Sequence, residues 1–185
     1  MAADVCLILE GTYPFVSGGV SAWTHELIRA QSHLSFHLLC LMPPGAVGVR
    51  RYQLPENVLG MDVVTVQELA PGHRRLRGLE RLSYRLEAPL GRMTDGGDDA
   101  DLEALLQALA DQPAERLGAR TLLDSRPAWQ MLLRLYEARY PDASFLDFFW
   151  SWRALMGGLF SILLAPVPQA SVYHAVSTGY AGLFL

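Results

Sequence analysis

Apolar runs and small-residue turns alternate along the first part of the chain. The continuous apolar run Asp4–Glu10 is typical of a buried parallel strand. The segment Gly19–Gln31 has the spacing of an amphipathic helix. Its apolar positions on one face are Val20, Trp23, Leu27 and Ile28. Leu34–Met42 and Val58–Leu69 predict two further strands. This order, with short connections, predicts a right-handed parallel α/β sheet.

The pattern changes after the third strand. We expect a helical insertion from about 73 to 165, with helices at Leu102–Ala110, Arg126–Tyr140 and Ser144–Leu164. The last helix carries an aromatic stripe at helical spacing, for which core packing is the simplest explanation. The stripe consists of Phe145, Phe148, Phe149, Trp152 and Met156. A strand at Ser171–Val176 and the opening of a helix follow. The whole chain, 1–185, is therefore expected to be one Rossmann-like domain, a parallel sheet flanked by helices, with a helical insertion.

Composition and charge narrow the classes of function. The net charge of −4 argues against a nucleic-acid partner, because such domains are usually basic. Half of the residues are apolar and 18% are charged, which suggests that some apolar surface meets another domain or subunit. The stretch His73–Arg92 holds six arginines and two glutamates, and Thr94–Glu103 is acidic. We expect a solvated face and a mobile loop there, with docking to a partner or to anionic lipid as the alternative.

The cysteines and the apolar stretches bear on location. Cys6 and Cys40 lie inside predicted strands without metal-ligand spacing, so buried, reduced thiols of a cytoplasmic protein are expected. The N-terminus lacks the features of an export signal. The apolar stretch Ala154–Pro168 has about 15 residues, whereas a membrane-spanning helix needs roughly 20. We therefore expect a protein that does not span a membrane.

Two adjacent glycines supply the first candidate chemistry. Gly18 and Gly19 follow the first strand and open the next helix. Ligands of parallel sheets bind beyond the carboxyl ends of the strands, and the N–H groups at a helix N-terminus favour anions. A phosphate or pyrophosphate would suit this position, although a plain turn explains a glycine pair equally well. The spacing matches neither the dinucleotide-binding motif nor the P-loop, which disfavours a dehydrogenase.

Two stretches together carry a family resemblance. The sequences EGTYPFVSGGVSAWTHELIRAQ (10–31) and VYHAVSTGYAGL (172–183) each follow a strand with small and polar residues. They resemble the N-terminal domain of family 4 retaining glycosyltransferases, in particular those of Pel-type exopolysaccharide synthesis in biofilms. The resemblance covers the whole chain and is strongest over 4–42 and 171–183. It implies one half of a GT-B fold, in which two Rossmann-like domains face each other, with the nucleotide-sugar domain outside this chain.

The resemblance also implies roles for the residues that follow the first strand. In the family, the glycine loop faces the diphosphate of the nucleotide-sugar, and Gly18 and Gly19 fall on that loop. Glu10, Thr12 and Tyr13 fall where the hydroxyl of an acceptor sugar would bind. For Glu10, a second role is equally open, which is to cap or orient the loop.

The last strand departs from the family pattern at one position. Many members have a histidine pair, H-x-H, with the functional histidine second, but this chain has His174 first and Val176 second. His174, Ser177 and Thr178 are the candidates to replace the missing imidazole. We take His174 as the catalytic candidate, with a structural histidine as the alternative.

The activity implied by the resemblance is transfer of a hexose from a UDP-sugar to a growing exopolysaccharide. No metal or other cofactor is implied, and this chain alone is expected to be inactive. The implied partners are the UDP-sugar donor, a saccharide acceptor and inner-membrane proteins of polysaccharide synthesis, with the protein cytoplasmic and at most peripheral to that membrane. A non-catalytic Rossmann-like binding or scaffold module is the alternative.

Overall fold

The chain forms two compact units in a computed structural model that describes residues 2–73 and 76–184. The sheet unit comprises residues 1–68 and 161–185, and the helical unit comprises residues 69–160. Part of the arginine-rich stretch, Arg74 and Arg75, lies outside the described residues.

The sheet unit is a parallel α/β structure, as the sequence predicts. Its described strands form a four-stranded sheet in the order β3-β2-β1-β4, with every neighbouring pair parallel. The elements are β1 (Ala3–Glu10), α1 (Gly19–Ala30), β2 (Phe36–Met42), β3 (Val58–Thr65), β4 (Ala170–Ala175) and a short 3-10 helix (Tyr180–Phe184). The Rossmann-like fold class is therefore confirmed.

Alternating residues of β1 build the core on both faces of the sheet, since successive side chains of a strand point to opposite faces. Leu7 is fully buried on the face that packs against Ile28 of α1. Cys6 and Ile8 are fully buried on the opposite face, in a cluster with Ile162. Because β1 is covered on both faces, its sequence is a nearly continuous apolar run.

The two cysteines are free thiols buried in the sheet. Burial raises the pKa of Cys6 to about 11 and that of Cys40 to about 12. Cys40 also donates its S–H to the main-chain oxygen of Tyr13, at 3.6 Å. Both thiols are therefore protonated at neutral pH and act as small core residues, which confirms the expectation that they are buried and not joined in a disulfide.

Helix α1 buries only part of the face that its apolar spacing indicates. Ser21, Thr24 and Ile28 are its buried residues. Val20 and Trp23 are 49% and 50% exposed. The Thr24 hydroxyl donates to the main-chain oxygen of Val20 at 2.8 Å, so this polar group is satisfied while small side chains face the sheet. The expected apolar face is thus buried only at its C-terminal end, where Ile28 is fully buried and Leu27 is partly buried.

The helical unit contains most of the remaining elements. Its described helices are α2 (Leu79–Met93), α3 (Asp99–Ala110), a 3-10 turn (Ala114–Arg116), α4 (Ala119–Leu122), α5 (Arg126–Arg139) and most of α6 (Phe145–Leu163). Helix α2 packs against α3 and α5. Over the described residues, no helix is long and apolar enough to cross a bilayer.

Helix α2, which is not among the helices predicted from the sequence, carries the expected solvated face of the arginine-rich stretch before residue 93. Leu82, Leu86 and Leu90 recur every fourth residue and are buried. Between them, Arg85 pairs with Asp111 of the segment after α3. A leucine stripe thus lies beneath the arginines, and the charge run is the outer face of an amphipathic helix.

The aromatic residues of α6 pack against α5, which confirms the expected core role. The rings of Tyr136 and Phe145 lie 5.1 Å apart edge to face, and those of Phe148 and Trp152 are stacked at 6.0 Å. Trp152 and Met156 are buried. Such ring pairs add stabilisation beyond their buried area.

Asp101 is a titratable group on which the acid stability of the helical unit depends. Its carboxylate accepts hydrogen bonds from Arg92 Nε at 2.7 Å and from the main-chain N–H of Asp98 at 3.4 Å, and it closes a capping box at the start of α3. The Arg92 hydrogen bond is the main cause that lowers the pKa of Asp101 below its ordinary value of 3.8. This stabilisation is present above the unfolded-state pKa and is lost as the pH falls through the native one.

We expect Asp101→Asn to lower the melting temperature at pH 7 and to have less effect at an acid pH below the lowered native pKa of Asp101, where the native carboxylate is protonated as well. Thermal melts at the two pH values measure the difference. Asp99→Asn is the control, because Asp99 is an exposed carboxylate in the first turn of the same helix. An equal effect of Asp101→Asn at both pH values would contradict the role of its charge.

Candidate functional site

The loops after β1 and β4 meet at one edge of the sheet. The order β3-β2-β1-β4 means that the chain builds the sheet outward from β1 in one direction and then returns to its other side. Strands β1 and β4 are parallel neighbours that end at Glu10 and Ala175. This is the topological switch point, where ligands of open parallel sheets bind.

Glu10 joins the two loops. Its carboxylate accepts hydrogen bonds from the Ser177 hydroxyl at 3.2 Å and from the Ala181 N–H at 3.4 Å. A Cβ atom added to Gly179 would lie 2.5 Å from the same carboxylate, so the main chain passes close over it. Glu10 therefore orients the 177–181 turn, which is a different segment from the glycine loop that the sequence left it to cap or orient.

Gly18 and Gly19 open α1 in unoccupied space. A Cβ atom at either position would have no described atom within 4 Å, other than its chain neighbours. Gly18 has a φ of 166°, an extended conformation that any residue adopts. In the described part of the chain, no side chain caps this helix and its first turn has no acidic residue. The first-turn N–H groups, which have no intrahelical partner, remain available to an anion.

Thr12 and Tyr13, which the sequence places in an acceptor site, both have buried hydroxyl groups. The Tyr13 side chain is fully buried, and its hydroxyl lies 3.1 Å from His25 Nδ1. Burial raises the pKa of Tyr13 to about 12. This hydroxyl is engaged in the core and is not free to bind a sugar. The Thr12 hydroxyl is also buried, but it has no hydrogen-bond partner among the described residues. A buried polar atom of this kind is one that a ligand or water satisfies.

His174 is exposed beside α1. It pairs in register with Leu7, whose side chain packs on the α1 face of the sheet. Its ring lies edge-on to that of Trp23, with centroids 6.4 Å apart. The imidazole therefore lies on the same side of the sheet as the helix opened by the glycines. Ser177 instead contacts Glu10, and Thr178 is exposed.

A cavity of about 430 Å³ lies at the carboxyl ends of β1, β2 and β3. Its walls combine Glu10 with apolar residues and with two residues that the sequence did not single out, Gln67 and Tyr180. Gln67 has a left-handed φ of 71°, which is uncommon outside glycine, and its N–H donates to Ser161 Oγ at 3.1 Å. No motif marks Gln67 or Tyr180, because only the folded sheet brings them next to Glu10.

The chemistry offered by this edge follows from its groups. The main-chain N–H groups that open α1 suit an anion. The carboxylate of Glu10 and the ring of Tyr180, which line the cavity, suit a ligand with hydroxyl groups. Among the described residues, no group of three or more His, Cys, Asp or Glu side chains is placed to hold a metal ion.

Together, the parallel sheet, its switch point and the open glycine loop define a Rossmann-like α/β domain with a candidate ligand site at the carboxyl edge. The chain belongs to the family described as a domain of unknown function, DUF3492, which matches residues 3–185. The comparisons found no curated protein and no solved structure that matches the chain.

Proposed function

We propose that the chain is the N-terminal, acceptor-side domain of a retaining GT-B glycosyltransferase, which transfers a hexose from a UDP-sugar to a growing exopolysaccharide. Domains of this family are found in glycosyltransferase-like proteins. Within that class, the sequences around the glycine loop and β4 resemble PelF, the cytosolic enzyme of Pel exopolysaccharide synthesis. A PelF-like role is the specific form of the proposal.

The open space around Gly18 and Gly19 is the observation that carries the proposal. Among the described residues, neither a steric clash nor the main-chain conformation requires glycine there. A ligand outside the chain's own fold therefore explains why glycines occupy these positions. The uncapped N-terminus of α1 favours a ligand that is an anion. The diphosphate of a nucleotide-sugar meets both conditions. Main-chain N–H groups aimed at it stabilise the negative charge that grows on the departing UDP.

The remaining residues take roles around this contact. The cavity beside Glu10 and Gln67 receives the acceptor saccharide, and Glu10 holds the 177–181 turn in place. His174 faces the sugar of the donor from the α1 side of the sheet, with Ser177 and Thr178 in the adjoining turn. The reaction uses no metal in this proposal, and the protein works in the cytoplasm, at the surface of the inner membrane with other proteins of polysaccharide synthesis.

A non-catalytic binding or scaffold module is the second candidate. The exposed apolar side chains of α1 and β4 favour it, since Val20, Trp23 and Val172 are each about half exposed on one side of the sheet. An apolar surface of this kind is typical of an interface with another domain or protein.

Nucleotide binding and turnover separate the two candidates. The full-length gene product is incubated with UDP-glucose, UDP-galactose and their N-acetylated forms, and UDP release is measured with and without saccharide acceptors. Calorimetry with UDP, and with GDP as the control nucleotide, measures binding directly. We expect one UDP-sugar to be consumed and UDP to bind more tightly than GDP. A folded protein that binds neither nucleotide at millimolar concentration would be the scaffold module instead.

A further inference from the structure

The helical unit has a cavity of its own, of about 390 Å³, beside the first half of α6. Three aromatic rings form a continuous wall. The ring centroids of Tyr140 and Phe148 are 5.3 Å apart, and those of Phe148 and Trp152 are 6.0 Å apart and nearly parallel. Leu155, half exposed, extends the apolar lining. The volume lies within the range of small-ligand sites.

Polar groups at the same cavity are free to bind a ligand. Ser144, Asp147 and Ser151 line it and are exposed. Within the described part of the chain, no hydrogen bond or ion pair engages the carboxylate of Asp147 or the hydroxyl of Ser151. The Ser144 hydroxyl oxygen accepts only a long hydrogen bond, of 3.4 Å, from the Asp147 N–H. Because these groups are exposed, the hydroxyls of a ligand can replace the water that hydrates them.

The charge of the lining restricts the class of ligand. The described lining residues include no arginine or lysine, and Asp147 is the acidic residue among them. Phosphates and nucleotides are disfavoured, because a carboxylate repels them and no cation compensates. A neutral ligand with apolar faces and hydroxyl edges fits instead. The C–H groups on the face of a pyranose ring pack against aromatic faces, whose electron density is negative, while its hydroxyls donate to the carboxylate.

We propose that this cavity is a second saccharide site, separate from the Glu10 cavity, which holds a sugar unit of the acceptor polymer. The assignment to the acceptor polymer rests on the proposed transferase function, whereas saccharide binding itself follows from the lining. Asp147 and Ser151 supply the hydrogen bonds, and the rings of Phe148 and Tyr140 supply the apolar surface.

Two neutral oligosaccharides, cellopentaose and chitopentaose, test the site in the full-length protein. Calorimetry measures affinity, and hydrogen exchange of peptides covering 140–155 shows where the sugar binds. We expect at least one pentasaccharide to protect these peptides. Asp147→Asn should weaken binding about tenfold, as expected for loss of a charge-assisted hydrogen bond. Ser151→Trp fills the cavity from an exposed position and should abolish the protection.

Matched controls and contrary outcomes complete the test. Asp142→Asn removes an exposed carboxylate from the same unit, outside the cavity, and should leave binding unchanged. No pentasaccharide protection of 140–155, or protection that survives Ser151→Trp, overturns the proposal. Asp147-dependent binding of tetramethylammonium without saccharide binding also overturns it, in favour of a cation site. Saccharide binding in a protein that turns over no UDP-sugar would refute the transferase function and leave this site standing.

Discussion

Gly19→Val is expected to lower the transfer rate of the full-length enzyme by about a hundredfold or more, the usual loss when one preorganised oxyanion donor is removed. The valine side chain would occupy the space in which we place the donor diphosphate, and would displace the ligand from the N–H groups that open α1. The fold itself tolerates the change, because a Cβ at Gly19 meets no described atom within 4 Å. Turnover and melting temperature are measured on the same preparation.

The control for this variant is a glycine with equally open surroundings away from the switch point. Gly48 lies in an exposed loop and its Cβ would also have no described atom within 4 Å. Gly48→Val should change neither turnover nor the melting temperature appreciably. Unchanged turnover in Gly19→Val, or a loss that unfolding fully explains, would remove the phosphate-facing role from the glycine pair.

The sheet could be predicted from the sequence because its strands are buried on both faces. β1 and β2 are continuous apolar runs, and short connections between them leave few topologies for a parallel sheet. The helical insertion was harder to predict from the sequence. In α2, the arginines dominate the composition, while the leucines that decide its burial are only every fourth residue.

Helix α1 shows the limit of hydrophobic spacing. The pattern places Ile28 correctly on the buried face. Val20 and Trp23, however, are half exposed, and Ser21 and Thr24 are buried instead. Hydroxyl groups that bond to the helix's own main chain are compatible with burial, and small side chains allow close approach to a sheet. The sequence alone does not distinguish this arrangement from an ordinary apolar face.

The candidate site was predictable only where residues are close in sequence. The position of Gly18 and Gly19 between a strand and a helix pointed to the sheet edge. In contrast, the sequence assigns Tyr13 to the acceptor site because it lies close to Glu10 along the chain. In the structure, its ring packs in the core against those of His25 and Tyr52. Gln67 lines the Glu10 cavity and has a left-handed main-chain conformation, which no sequence pattern predicts.

The helical unit depends on a close approach of two main-chain segments at Gly118. The N–H of Ala119 donates to the Ala70 oxygen at 2.9 Å, and the N–H of Arg120 donates to the Pro71 oxygen at 3.0 Å. Gly118 itself leaves no room for a side chain, since an added Cβ would overlap the Ala70 oxygen and lie 2.6 Å from the Gly72 nitrogen. Both obstacles are main-chain atoms, which cannot rotate away as a side chain can.

Gly118→Ala is therefore expected to lower the free energy of unfolding by about 3 kcal/mol, at the upper end of the usual cost of overpacking. The hydrogen-bonded segments must separate to admit one methyl group, so the loss comes from steric overlap and from strained hydrogen bonds together. Urea denaturation followed by tryptophan fluorescence measures it, because Trp129, Trp150 and Trp152 all lie in the helical unit. Gly48→Ala, in open space, should stay within about 0.5 kcal/mol of the parent protein. Equal denaturation midpoints for Gly118→Ala and Gly48→Ala would show that the two segments do not pack as closely as described.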